Sequence, residues 1–287
     1  MAARLTTQRR AFKPGAFFLA LPGLAWLGLF FVLPLLIVLA ISFLTRGEGG
    51  RVVLPLTLTN YERVIDVYWI VIQRSLWIAF LTTLISLILG YPMAFFIRTR
   101  RTEAGKQFAL FLVILPFWTN FLVRTYAWRV ILGQEGIINS ALMNLGLITE
   151  PLNLLNTEFS VLLGLVYGFL PFMVLPIYAS VSKFEFRFLE AAHDLGANDW
   201  HAFWRVMLPM TLPGVVAGCI LVFIPAVGTF VVSDILGGTQ GLMIGNLIQG
   251  QFRGVGNLPL GAALSMVMMS FVVLALIFYI RFADKEG

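Results

Sequence analysis

The sequence predicts an all-α membrane protein, six transmembrane helices in one domain over residues 1–287, and three observations carry that prediction. The chain is 59% hydrophobic and only 12% charged, whereas soluble domains run about 45–50% apolar and about 25% charged. Six stretches are long and apolar enough to cross a bilayer, which takes roughly 20 residues each. Lys and Arg gather in alternate loops between these stretches, as they do when basic loops stay on the inner side.

In chain order the predicted spans are 17–44, 70–97, 107–132, 159–182, 212–236 and 258–280. The first follows Arg9, Arg10 and Lys13 and so resembles a secretion signal, but it is too long and lacks a small-residue cleavage site. It is therefore expected to be a retained span. Pro34, Pro92, Pro116, Pro171, Pro176 and Pro225 fall inside spans. Neighbouring helices can satisfy the carbonyls that proline frees, so these positions predict kinks rather than ends. No internal repeat and no low-complexity segment divides the chain.

Orientation follows from the loops. The N-terminal segment carries Arg4, Arg9, Arg10 and Lys13, and the loop after the second span carries Arg98, Arg100, Arg101 and Lys106. The loop over 133–158 has no Lys or Arg but has Glu135, Glu150 and Glu158. The first two are predicted inside and the third outside, which puts both termini in the cytoplasm. The 45–69 loop, with three Arg and three acids, falls outside.

Composition also excludes functions. The single cysteine, Cys219, rules out a disulfide framework or thiolate cluster. The net charge of +6 is accounted for by membrane orientation, and no basic stripe or aromatic platform lies outside the apolar runs, so no nucleic-acid partner is expected. No HExxH run, nucleophile elbow or set of clustered carboxylates marks a catalytic or metal site. No GxxxxGK[ST] run is present, so ATP is not bound here in the P-loop manner. A secondary transporter would show inverted repeats and ionisable groups at the bilayer midplane, and neither is evident.

One stretch breaks the apolar pattern. Residues 183–209 form a predicted cytoplasmic loop, and its part "LEAAHDLGANDWHAFWRVMLP" holds Glu190, Asp194, Asp199, Arg205 and both histidines. Ala191, Ala192, Leu195, Ala202, Phe203, Val206 and Met207 make an apolar stripe at helical spacing. Gly196 is placed to close a first short helix. Asn198 or Asp199 is placed to cap a second. The small residues leave room for a partner to approach, and Glu190 offers it a carboxylate. The alternative on these grounds is an amphipathic hairpin lying on the membrane without a partner. His193 and His201 read as solvated or interface residues, since no third metal ligand is near in sequence.

The same stretch resembles the EAA signature of type I ABC importer permeases. In that signature Glu-Ala-Ala is followed, after three residues, by Gly and, after nine more, by an aliphatic residue, one residue, and Leu-Pro. Glu190, Ala191, Ala192, Gly196, Val206, Leu208 and Pro209 stand at those places. Further stretches, "PFWTNFLVRTYAW", "GLVYGFLPFMVLPIY", "FIPAVGTFVVSDILGG" and "LMIGNLIQGQF", resemble the spermidine/putrescine branch of these permeases, specifically its B-type subunit. The resemblance implies the type I permease fold, with Glu190, Ala191, Ala192, Gly196, Leu208 and Pro209 in a coupling hairpin that docks on an ATPase. It also implies a homologous second permease, two copies of a cytoplasmic ABC ATPase that bind ATP and Mg, and an external solute-binding protein. No cofactor is expected in this chain itself. The implied cargo is a polyamine, with iron, another amine or a phosphonate compound as alternatives.

A polar path is the remaining expectation. Charges inside spans are costly, so Asp234, the one acid in a predicted span, is a site candidate. Counting from Pro213 at about 1.5 Å per residue puts it roughly 30 Å along its helix, near the outer rim. It could serve an entry gate or the binding protein, or pair with Arg253 or a loop amide. Trp118, Thr119, Asn120 and Tyr167 fall near the midplane by the same count. They could hold an alkylammonium chain by cation–π attraction, or simply pack helices together. Arg124 and Arg129 oppose a cationic cargo unless they snorkel outward or pair with Glu135 or Glu158.

Overall fold

The computed structural model describes residues 14–253 and 256–283. The basic residues Arg4, Arg9, Arg10 and Lys13, used above for orientation, lie outside the described residues. Helix dominates. α1 (Pro14–Leu27) runs through a π-helical turn at Gly28–Val32 into α2 (Leu33–Ser42). A two-residue β-hairpin, β1 (Thr45–Arg46) with β2 (Val52–Val53), leads to the short α3 (Thr59–Asp66). Then come α4 (Trp69–Arg98), α5 (Glu103–Ile114), α6 (Phe121–Leu132), α7 (Ile137–Asn144) and α8 (Glu158–Lys183). The chain closes with α9 (Arg187–Asp194), α10 (Asp199–Ala202), α11 (Leu208–Gly228), α12 (Ile244–Arg253) and α13 (Leu258–Ala283). Among the described residues five helices are long and apolar enough to cross a membrane, and a sixth span is made if the bent α5–α6 pair is counted as one.

The centre is the α4–α8–α11 triplet. Small residues let these backbones close up, as they do where helices pack in lipid. A Cβ added at Gly214 of α11 would lie 2.6 Å from the Pro176 carbonyl of α8, and one at Gly90 of α4 would lie 2.9 Å from the Met173 side chain. Tyr91, Met173, Ile177, Val181, Met207 and Val222 fill the core at the α9–α10 end of this triplet. Ile78, Val161, Leu165, Leu236 and Met243 fill a second core toward the other end. α13 packs on α2, α3 and α12 and completes a third core through Val64, Ile72, Ala226 and Leu264. The first span packs on α13 through α2, and none of its most apolar window is buried within the chain.

Two proline positions shape the backbone. Pro34 and Pro209 each lack the N–H that the residue four earlier would accept, and each ring crowds that carbonyl. Those earlier residues are Phe30 and Arg205. The helix widens into π turns centred on them, Gly28–Val32 and Phe203–Met207. Neither proline ends its helix.

The structure departs from the expected spans at two places. The third, 107–132, is not one helix: a 3-10 turn at Leu115–Trp118 ends its first half, and α6 leaves at 90° to it. Pro116 fits the start of the 3-10 turn, and Thr119 and Asn120 turn extended, so the helix must begin again. The fifth, 212–236, starts earlier and stops earlier. Its helical run begins at Asp199 and ends at Gly228. Gly245, at the start of α12, sits over that end; a Cβ there would lie 2.9 Å from the Gly228 carbonyl. A separate π turn, Ser233–Gly237, follows.

Candidate functional site

Two places bring together the residues singled out in sequence. The first is the hairpin of α9 and α10. α9 ends in a Schellman turn: the Gly196 amide donates to the His193 carbonyl at 2.8 Å and the Ala197 amide to the Ala192 carbonyl at 3.0 Å. That turn needs a left-handed residue, and Gly196 supplies it at φ +84°. Asn198, rather than Asp199, caps α10, its Oδ1 accepting from the His201 amide at 2.9 Å. His193 Nε2 lies 3.2 Å from Asp199 Oδ1, so the two helices are also bridged by side chains.

The hairpin is anchored by one face and bare on the other. Ala192, Ala202 and Met207 are buried. Phe203 meets Tyr91 edge-on at 5.3 Å, Phe95 approaches Phe186 at 6.3 Å, and the Arg98 guanidinium lies 5.2 Å from the Phe186 ring. The Tyr91 hydroxyl shares a hydrogen bond with Thr211 Oγ1 at 2.9 Å. α4 and α11 therefore feel any movement of the hairpin. The expected apolar stripe is split: Ala191 is exposed and Leu195 is 90% exposed, because the turn at Gly196 swings Leu195 outward. Glu190 and Gly196 are exposed as well, and Leu208 and Pro209 lie where the π turn enters α11. Trp200 and Trp204 meet edge-on at 5.5 Å on the open side. A cavity of about 410 Å³ lies between the helices there, lined by Leu195, Gly196, His201 and Arg205 among others.

The second place is the break between α5 and α6. Asn120 Oδ1 accepts from the Leu122 amide at 2.8 Å and caps α6. The Pro116 carbonyl, freed by the break, accepts from Thr119 Oγ1 at 2.8 Å and from Arg124 Nη1 at 2.7 Å. The Arg124 guanidinium also lies 5.5 Å from the Phe121 ring and 5.6 Å from that of Tyr167, which meets Trp128 edge-on at 5.4 Å. The expected Trp118–Asn120–Tyr167 grouping does not form. Trp118 is 76% exposed and meets Phe111, while Asn120 is engaged in capping. Tyr167 instead joins Arg124 and Trp128. Arg124 was singled out in sequence only as a charge opposed to a cation, and Phe121 and Trp128 are the residues missed. The signal available for them was Pro116 followed by Thr-Asn inside an apolar run, a stop and a new cap with an arginine one turn later.

Neither arginine pairs with an acid. Arg129 Nη1 donates to the Ile235 carbonyl at 3.2 Å, and Glu158 is held by Arg74 at 3.0 Å. Folding brings backbone carbonyls closer than Glu135 or Glu158. Asp234 lies outside any long helix, exposed in the Ser233–Gly237 turn, and no ion pair joins it to Arg253 among the described residues. No group of three or more His, Cys, Asp or Glu side chains is arranged to hold a metal among the described residues.

Thr119 and Asn120 are exposed. Non-helical backbone at membrane depth is tolerated only against protein or water, so this break calls for a neighbouring chain or an aqueous path. A helical membrane bundle with a break of that kind in its wall and a bare two-helix hairpin at one end is a multi-pass transport component. Residues 86–285 match the family described as binding-protein-dependent transport system inner membrane component, and the chain belongs to that family. Its members are transport components rather than enzymes. It is similar to the spermidine/putrescine transport system permease protein PotB of Haemophilus influenzae, 44% identical over 258 residues and 90% of each chain. The same-named protein of Escherichia coli is 44% identical over 257 residues, covering 89% of this chain and 93% of that one. An inner membrane ABC transporter permease protein of Escherichia coli, YdcU, is 34% identical over 288 residues, 95% of this chain and 90% of that one. Among solved structures, a bacterial ABC transporter for the acidic polysaccharide alginate superposes with a TM-score of 0.70 at 15% identity, covering 93% of this chain and 95% of that one. That likeness shows the fold, the type I ABC importer permease fold, and nothing of the cargo.

Proposed function

We propose that this chain is one permease subunit of an ATP-driven importer that carries a polyamine, spermidine or putrescine, across the inner membrane. The observation that carries this reading is the 44% identity, over 90% of the chain, to a permease named for those substrates. A homologous second permease covers the exposed break at Thr119–Asn120 and completes the pore. Two copies of a cytoplasmic ATPase dock below and bind the ATP and Mg, one of them on the hairpin that presents Glu190, Gly196 and Leu195. A solute-binding protein delivers cargo on the opposite side, near Asp234 and the 133–158 loop. Both termini lie in the cytoplasm. Closure of the ATPase pair moves the hairpin, and the aromatic contacts to Tyr91 and Phe95 pass that movement to α4 and α11.

A second reading is an anionic cargo, since Arg124 and Arg129 bond to neutral backbone carbonyls and keep their charge. Trp118, 76% exposed, offers its ring to a cation instead.

The test is ATP-dependent uptake of labelled spermidine and putrescine in cells that lack other polyamine systems, with the neighbouring transport genes intact. Deleting this gene is expected to abolish uptake and the wild-type gene to restore it. Uptake unchanged by the deletion would discard the polyamine cargo and leave the permease assignment standing.

A further inference from the structure

The loop that joins α4 to α5 holds a pocket that the transport reading does not use. Phe96, Thr99, Arg100, Arg101, Thr102 and Gly105 line a cleft of about 500 Å³. The Arg100 guanidinium lies 3.5 Å from the centroid of the Phe96 ring. Stacked there it is held in place, while its N–H edge stays free for a planar anion. The Arg101 side chain is exposed at the rim. The Thr102 hydroxyl caps α5 by accepting from the Gly105 amide at 3.1 Å. Other first-turn amides of a helix lack intrahelical partners and favour an anion. The one acid nearby, Glu103, is engaged by Lys106 at 2.5 Å.

Phe96 also lines a second cleft, of about 470 Å³, with Pro92, Met93, Ala109 and Leu112 among its walls. This one is apolar and runs up the same two helices, α4 and α5, toward the membrane. Phe96 is 53% exposed and Leu112 is 49% exposed. A basic pocket thus continues, through one shared aromatic ring, into a hydrocarbon groove. Neither a soluble anion nor a plain helix face fits both parts. A lipid with an anionic head fits both, and basic pockets between spans on the inner side take such heads.

We propose that the α4–α5 cleft binds one anionic phospholipid. Its phosphate sits against Arg100, Arg101 and the first turn of α5, and one acyl chain lies over Phe96, Ala109 and Leu112. The site rests on the proposed inner-face placement of the 98–106 loop but not on the cargo. It adjoins the hairpin, because Arg98 and Phe95 both contact Phe186. Lipid bound there steadies the α4 end against which the hairpin moves.

The experiment is native mass spectrometry of the detergent-purified full importer complex, incubated with phosphatidylglycerol or with phosphatidylcholine. Phosphatidylglycerol is expected to stay on at about one molecule per copy of this chain, at least about fivefold more than phosphatidylcholine. The paired Arg100→Gln and Arg101→Gln variant is expected to lower that retention about fivefold, and Ala109→Trp to do so with the charges intact. Equal retention of the two lipids by the wild-type complex overturns the proposal and needs no variant. Unchanged retention in both variants overturns it too. Loss of a protein subunit from the Ala109→Trp complex, with lipid retention unchanged, makes the groove a protein interface instead. Uptake is not the readout, so a wrong cargo and a wrong lipid site give different results.

Discussion

The hairpin of α9 and α10 and the broken span of α5 and α6 are built alike and exposed to opposite demands. Each is helix, break, helix, and in each an asparagine caps the second helix: Asn198 through the His201 amide, Asn120 through the Leu122 amide. The hairpin closes its first helix with its own backbone, through the Gly196 turn. The broken span closes with one long backbone bond, from the Thr119 amide to the Pro116 carbonyl at 3.4 Å, and adds two side-chain donors to that carbonyl, Thr119 and Arg124. Beside water an unsatisfied group costs little. Inside a bilayer each costs several kcal/mol, of order. The break in the membrane therefore recruits a cation from the next turn, where the hairpin needs only a glycine.

The largest effect is expected at Gly196. Gly196→Trp places a side chain at φ +84° on the proposed docking face, where the left-handed backbone alone costs about 1–2 kcal/mol. Insertion is expected to survive and uptake to fall to background, with the ATPase subunits no longer co-purifying. Gly196→Asn, which tolerates that backbone, is expected to retain most uptake. A Gly196→Trp permease that transports at the wild-type rate would remove the docking role.

Next is Arg124. Arg124→Leu takes one of three donors, and the charged one, from the Pro116 carbonyl, a loss of about 1–3 kcal/mol read as a lower melting temperature in detergent. Uptake is expected to fall with it, and Arg124→Lys to restore part of both.

The paired caps then separate structure from path. Asn120→Ala and Asn198→Ala should each cost about 1 kcal/mol of stability. Uptake is expected to drop further for Asn120→Ala, because only that cap borders the proposed path. Equal drops in uptake would confine Asn120 to holding the helix. The smallest effect is expected of Tyr91→Phe, which removes one buried hydrogen bond to Thr211, worth about 1 kcal/mol, and leaves the ring against Phe203. A fall of a few degrees in melting temperature with near-normal uptake is the result to look for.

The two breaks were not equally legible. Gly196 and Asn198 stand in a polar stretch, where a glycine just after an apolar stripe reads as a stop and an asparagine two residues on as a candidate start. Thr119 and Asn120 carry the same chemistry, yet they sit in a run apolar enough to read as a single span from 107 to 132. Hydropathy averages over such a break. The same averaging carried the fifth span through Gly228 to Leu236, although the helix stops where Gly245 of α12 covers its end.

By itself the sequence determined the membrane class, the approximate stretches that could cross, the distribution of basic loops, the turn of the hairpin, and its cap to within Asn198 or Asp199. These depend on composition or on residues within a few positions of one another. Only the tertiary structure decided that the third span bends by 90°, that Arg124 and Arg129 meet carbonyls rather than Glu135 or Glu158, and that Tyr167 joins Trp128 instead of Asn120. In a chain this apolar nearly every helix face looks alike, so contacts between distant residues, not periodicity, choose which polar group finds which partner.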